Sequence, residues 1–316
     1  MVPLRIRDFI ITHDNWIFAV VDYFHKDGVR AILRYVPDDK GDRIRKGIRY
    51  KKYDFGDAFD FLHAHKPEWI DSVHVVPIQE IKEIFHPYNC IKELLKTNNK
   101  VASILKTLQK KNIALCDMGV TGSLLVGLET ESSDIDFVVY GDSWFKAANI
   151  ISKAKLKSGV IEEISDSMWQ QIYNKRIPEL SFDEFILHEK RKGNRGMVNG
   201  TYFDLLFVRD ESQINKPTQY GKKIGNRMIE AIVTNADFSF DSPSIYEIDH
   251  KEIDKVISFT HTYTGQARVG ELIEVRGVVE EVKINAGIMR QLIVGTSREP
   301  KNEWIRSLSL IESNKC

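Results

Sequence analysis

Cysteine is scarce in this chain. Cys90, Cys116 and Cys316 are the three in 316 residues, scattered and without the CxxC spacing of a zinc site or a redox pair. That argues against a disulfide framework and points to a reducing compartment. Net charge is also missing: 45 Lys and Arg balance 45 Asp and Glu. The chain therefore has no overall electrostatic footprint for nucleic acid or acidic lipid, and either would have to be held by a local patch. No stretch reaches the ~18 uninterrupted apolar residues of a membrane span, and the opening MVPLRIRDFIITHDNWIF has no long apolar core behind a basic leader. A cytoplasmic protein without a membrane partner is expected. Repeats and low-complexity segments are absent too. What remains is an ordinary globular composition, 42% hydrophobic and 28% charged, in a chain long enough for two or three domains.

Three segments differ in character. Residues 1–88 are rich in β-branched and aromatic residues, and DFIIT, NWIFAVVDYF, VRAILRYV and IRYKKYDF read as strands, with HKDG as a hairpin turn. HPYN breaks this pattern. Residues 89–230 then alternate helices and strands. Ile91, Leu94, Leu95, Val101, Ile104, Leu105 and Leu108 give an amphipathic helix interrupted at Asn98-Asn99. IALCDMGV reads as a buried strand, helices are expected near 142–157, 166–177 and over FDEFILHEKRK, and GNRGMVNG reads as a turn before the strand TYFDLLFV. Residues 231–316 return to short β-like runs, such as ELIEVRGVVEEVKI, that suit a small closed barrel of the OB kind. The expected fold class is α+β: a central mixed-sheet domain with helices, flanked by a β-rich N-terminal domain and a small C-terminal β-barrel.

The chemistry concentrates in GVTGSLLVGLETESSDIDFVVYG, residues 119–141. A strand's period of two puts Asp134 and Asp136 on one face, where two carboxylates can share a divalent cation such as Mg²⁺ or Mn²⁺. Upstream, Gly122 and Ser123 read as a tight turn into a short helix, where glycine lets the backbone approach a ligand and exposed amides favour phosphate. Asp204 interrupts the apolar run TYFDLLFV, and an acid there is costly unless paired, metal-bound or exposed.

This ordered set, Gly-Ser followed by SDID and then an apolar strand, resembles the signature of the DNA polymerase β-type nucleotidyltransferase superfamily. The resemblance covers roughly residues 90–210, and the three-part layout is similar to archaeal stand-alone nucleotidyltransferase-domain proteins. It implies that Gly122 and Ser123 contact a nucleoside triphosphate, ATP among the possible donors. It also implies that Asp134 and Asp136 bind two metal ions, and that Asp204 binds the catalytic metal and activates the attacking hydroxyl. Many small members carry an arginine in the helix after the Gly-Ser pair; here the run is LLVG, with Val126.

Among basic residues, Lys192 and Arg195 in HEKRKGNRG are candidates for touching phosphates, against the alternative of a solvated helix end. GDRIRKGIRYKK, with Tyr50 and Tyr53, reads as an exposed hairpin or a backbone-gripping patch. The histidines lack ligand spacing. The enzyme reading, nucleotidyl transfer to RNA or DNA, competes with a fold-retaining but inactive binding module, and with transfer to a small molecule or protein.

Overall fold

The computed structural model of the chain describes residues 3–157, 159–214, 217–285, 287–296 and 301–315; Cys316 lies outside the described residues. The chain divides into two compact units, residues 1–163 with 194–217, and 164–193 with 218–316. The first unit holds two sheets and the second holds one.

The first sheet comprises β1 (Phe9–Thr12), β2 (Ile17–Val20), β3 (Val29–Pro37), β4 (Arg43–Arg45), β5 (Ile48–Lys52), β6 (His74–Val76) and β7 (Ile81–Phe85), in the order β4-β5-β3-β2-β1-β7 with β6 on β3. Both faces are covered, which is why its strands read as nearly continuous apolar runs. Ile10, Phe18 and Leu33 pack against Ala58 and Leu62 of α1 (Phe55–His65). Phe9, Ile11 and Ile17 pack with Leu125, Val126 and Leu128.

The second sheet follows two helices separated as the sequence reading expects. α2 (Ile91–Thr97) stops at Asn98, whose side chain accepts from the Lys100 and Val101 amides and starts α3 (Asn99–Gln109). Its strands are β8 (Met118–Val120), β9 (Ile135–Tyr140), β10 (Ile161–Glu162), β11 (Arg195–Val198) and β12 (Thr201–Val208), ordered β10-β11-β12-β9-β8, with β9 and β12 parallel. α4 (Gly122–Val126) leads from β8 toward β9, and α5 (Ser143–Lys155) buries Trp144, Ala147, Ala148 and Ile151. The Trp144 indole donates to the Leu205 carbonyl at 3.2 Å.

Two local expectations change. Of IALCDMGV only Met118–Val120 is strand; Leu115–Asp117 is a 3₁₀ turn, and Asp117 accepts from the Ser143 hydroxyl at 2.8 Å. GNRGMVNG is not all turn: Arg195–Val198 forms β11 on β12, because Gly196 has no side chain to obstruct the Phe203 ring, which a Cβ would meet at 2.9 Å.

The second unit takes α6 (Asp166–Arg176) and α7 (Phe182–Lys192) together with the barrel, so the middle segment read from sequence is divided between the units. The reason is chemical: on α7, His188 accepts from the Ser307 amide at 2.9 Å and Arg191 pairs with Glu271. β13 (Lys222–Asn235), β14 (Ser244–Asp249), β15 (Lys255–Ser258), β16 (Leu272–Ile284) and β17 (Gly287–Val294) close into a five-stranded ring through the β13–β16 pairing. β18 (Trp304–Ser307) adds to β16, and α8 (Leu308–Ser313) follows. β13 begins at Lys222, before residue 231, and its first seven residues are exposed, so no buried face marks the barrel's start in the sequence. Among the described residues no helix is long and apolar enough to cross a membrane.

Candidate active site

The Gly122 turn and the Asp136 strand meet. Gly122 sits at φ +70°, and a Cβ built on it would lie 2.3 Å from Asp136 Oδ2. Only glycine combines this left-handed backbone with so close an approach to a carboxylate. The Thr121 amide donates to the Asp136 carbonyl at 2.9 Å, fixing the turn to the strand. α4 is five residues long and ends at Gly127 in the left-handed conformation, so its macrodipole is a weak source of positive potential. Ser123 is half-buried at its start, and Asp134 is exposed one residue before β9. Burial pushes the Asp136 carboxyl above the ordinary carboxylate range; Arg7 and Arg34 oppose that, while Asp204 and Asp134 reinforce it.

Asp204 stands beside Asp136 in register on the parallel strand β12, and Arg195 stands beside Asp204 on β11. Neighbours in register share a sheet face, so one row crosses the sheet as Asp136, Asp204, Arg195. Asp204 is 5% exposed and Arg195 2%. Arg195 Nε donates to Asp204 Oδ2 at 3.1 Å, and Asn194 Nδ2 donates to Oδ1 at 2.9 Å. Of the reasons a strand-interior acid survives burial, ion pairing is the one seen here. The Arg195 guanidinium is buried and paired with Asp204.

Lys192 belongs to the second unit. It is buried, and its ammonium bonds to Glu189 and to the Thr262 carbonyl at 3.3 Å. Its ammonium is held inside the second unit rather than at a solvated helix end. Arg43, in the N-terminal basic run, donates to the Leu128 carbonyl within the first unit, and Tyr50 is buried. That hairpin is packed structure on one side.

Sequence reasoning missed Arg7 and Arg34. Both line, with Phe9, Phe55, Gly122 and Asp136, a cavity of about 310 Å³ in the first unit. Arg7 holds a left-handed backbone, φ 74°, rare for a residue with a side chain. Nothing local in PLRIRDF signals this, because its restraints come from elsewhere: its amide donates to the Val20 carbonyl at 3.0 Å, and its carbonyl accepts from the Thr121 hydroxyl at 2.6 Å.

Among the described residues no group of three or more His, Cys, Asp or Glu side chains is gathered as a ready-made metal site. The donor set nonetheless fits a hard divalent cation. Asp134 and Asp136 offer carboxylate oxygens, and the repulsion Asp136 feels from Asp134 and Asp204 is what a cation would relieve. Two carboxylates suffice for an ion that keeps waters and takes further ligands from phosphate.

Residues 99–192 match the nucleotidyltransferase domain family. A protein of Methanocaldococcus jannaschii described as uncharacterized is 37% identical over 96% of this chain and 99% of its own length. No solved structure matches the chain. With the Gly-Ser turn, the SDID strand and this family match in one chain, and a relative similar over its whole length, the protein belongs to the polymerase β-type nucleotidyltransferase superfamily.

Proposed function

We propose that this protein transfers a nucleoside monophosphate from a nucleoside triphosphate to an acceptor hydroxyl, releasing pyrophosphate, in a two-metal reaction. The observation that supports this most is the seat of Gly122 against the Asp136 carboxylate. It brings a backbone able to approach phosphate to the same point as a carboxylate able to hold its counter-ion.

Asp134 and Asp136 would hold Mg²⁺ or Mn²⁺, with Asp204 as the third carboxylate. When bound, such ions neutralise charge on the transferring phosphoryl group and align the attacking and leaving oxygens. The chain's own residues supply the rest. Gly122 and Ser123 orient the phosphates. The acceptor oxygen forms a bond to the α-phosphorus as the bond to the pyrophosphate oxygen breaks, and Asp204 receives the acceptor's proton. Arg195 and Asn194 orient Asp204, donating to its two carboxylate oxygens. Catalysis of this kind is positioning and electrostatics.

The barrel supports a polymer acceptor, RNA or DNA. Its ring order β13-β14-β15-β17-β16, with β15 and β17 parallel, suits a five-stranded OB-type barrel, a class that often binds oligonucleotides. The second reading is a nucleotidyltransferase-fold binding module without turnover. It draws on one observation: Asp204 is nearly buried and already paired with Arg195. A small-molecule or protein acceptor is the third outcome. Titrating a nucleoside triphosphate with and without Mg²⁺ tests the site. Cation-dependent binding that disappears in Asp134→Asn/Asp136→Asn is expected, and binding indifferent to both cation and substitution would overturn the assignment.

A further inference from the structure

α4 offers a triphosphate little counter-charge: it is short, and it carries no basic residue in Gly122–Val126. Its Val126 is 1% exposed and packs with Phe9, Ile11 and Ile17 of the first sheet. That position is core, so a cation there would be buried against apolar side chains. The same sheet presents two arginines at the cavity beside Gly122 and Asp136.

Their placement is built in. Phe9 on β1 pairs with Ala19 on β2, which pairs with Ile32 on β3, and all three line the cavity. The β2–β3 register then shifts: Ile17 faces Tyr35 while Phe18 faces Leu33, leaving Arg34 as the extra residue of a bulge. Bulges re-aim side chains, and here Arg34 joins the cavity wall while the next residue, Tyr35, packs with Phe9, which lines the same cavity. Arg7 precedes β1 in its left-handed conformation, a strained state that persists only because Val20 and Thr121 hold it. Its Nε is buried and has no hydrogen-bond partner among the described residues. A buried donor without an acceptor is costly unless a ligand supplies one.

We infer that the N-terminal sheet is part of the nucleotide site, and that Arg7 and Arg34 bind the triphosphate's oxygens in the cavity beside Gly122 and Asp136. The inference rests on the nucleotidyltransferase reading and gives residues 1–55 a role in it. Guanidinium groups suit this task because they stay charged and pair with phosphate in two parallel hydrogen bonds.

The test is calorimetric binding of the α,β-methylene analogues of ATP, GTP, CTP and UTP with Mg²⁺, and of inorganic tripolyphosphate, to the full chain and its variants. Arg34→Gln and Arg7→Gln are each expected to weaken analogue and tripolyphosphate binding about tenfold or more. Arg7→Lys should weaken it less, and unsubstituted nucleosides should bind all forms alike. Among the described residues the Arg34 side chain makes no hydrogen bond or ion pair, so Arg34→Gln decides the matter should Arg7→Gln fail to fold. Analogue binding by the unaltered protein that is unchanged in Arg34→Gln and Arg7→Lys would overturn the inference and leave the proposed activity standing. No analogue binding by the unaltered protein would overturn both.

Discussion

Two residues carry opposite kinds of constraint. Gly122 is fixed by what it lacks. An alanine there would combine a left-handed backbone with a Cβ 2.3 Å from Asp136 Oδ2. Gly122→Ala is expected to cost about 1–3 kcal/mol of stability and to abolish triphosphate binding; denaturant melts and calorimetry check the two effects separately. Asp204 is fixed by what it has. Arg195→Met strands a buried carboxylate, and a loss of about 3–5 kcal/mol in urea unfolding is expected. Arg195→Met combined with Asp204→Leu should be the milder change, because no unpaired charge is left. Were the double variant the less stable, the ion pair would be more than a solution to its own burial. The meeting of Gly122 with Asp136 is legible in the sequence, because it depends on spacing along one turn and one strand. The partner of Asp204 is not, since Arg195 reaches it only through the β11–β12 pairing and its segment reads as a glycine-rich turn. Arg7 is hidden for the same reason: distant groups impose its backbone.

At the scale of elements, helices whose apolar spacing is self-contained are legible to within a residue or two. α3 declares its start through Asn98, and α7 through the Ser181–Glu184 capping box. β13 does not declare itself, because its first half is exposed and has no alternation to read. Buried histidines join elements in each unit. His188, as the Nδ1–H tautomer, donates to the Glu184 carbonyl at 2.7 Å and accepts from the Ser307 amide on β18 at 2.9 Å. His74 on β6 accepts from the Leu33 amide on β3 at 3.0 Å. Burial pushes both imidazoles down to about 4. Between the unfolded value of about 6.5 and about 4, the unfolded chain binds protons that the folded chain refuses, so stability is full above pH 6.5 and falls as the pH drops through this window. The loss should reach roughly 2–3 kcal/mol per histidine near pH 4, read from urea midpoints at pH 7 and pH 4.5. His188→Gln should flatten the slope while lowering stability at pH 7. A midpoint that does not fall between pH 7 and 4.5 would contradict this account of both histidines.

At the scale of the whole molecule, the candidate site lies in one unit and the barrel in the other. Gly122, Ser123, Asp134, Asp136, Asp204, Arg7 and Arg34 all belong to the first unit, while α6, α7 and the closed ring form the second. Composition does not reveal this division: net charge is zero overall, and α7's basic run, which reads as a phosphate patch, holds its helix to the barrel through Arg191 and Glu271. The most direct measurement is transfer of label from α-labelled ribonucleoside and deoxynucleoside triphosphates, with Mg²⁺ or Mn²⁺, into RNA, DNA, protein and small-molecule fractions. The unaltered protein should label one fraction, thereby naming donor and acceptor, and Asp134→Asn/Asp136→Asn should label none. Equal label with both proteins, or none with either in every fraction, would contradict nucleotidyl transfer at this site.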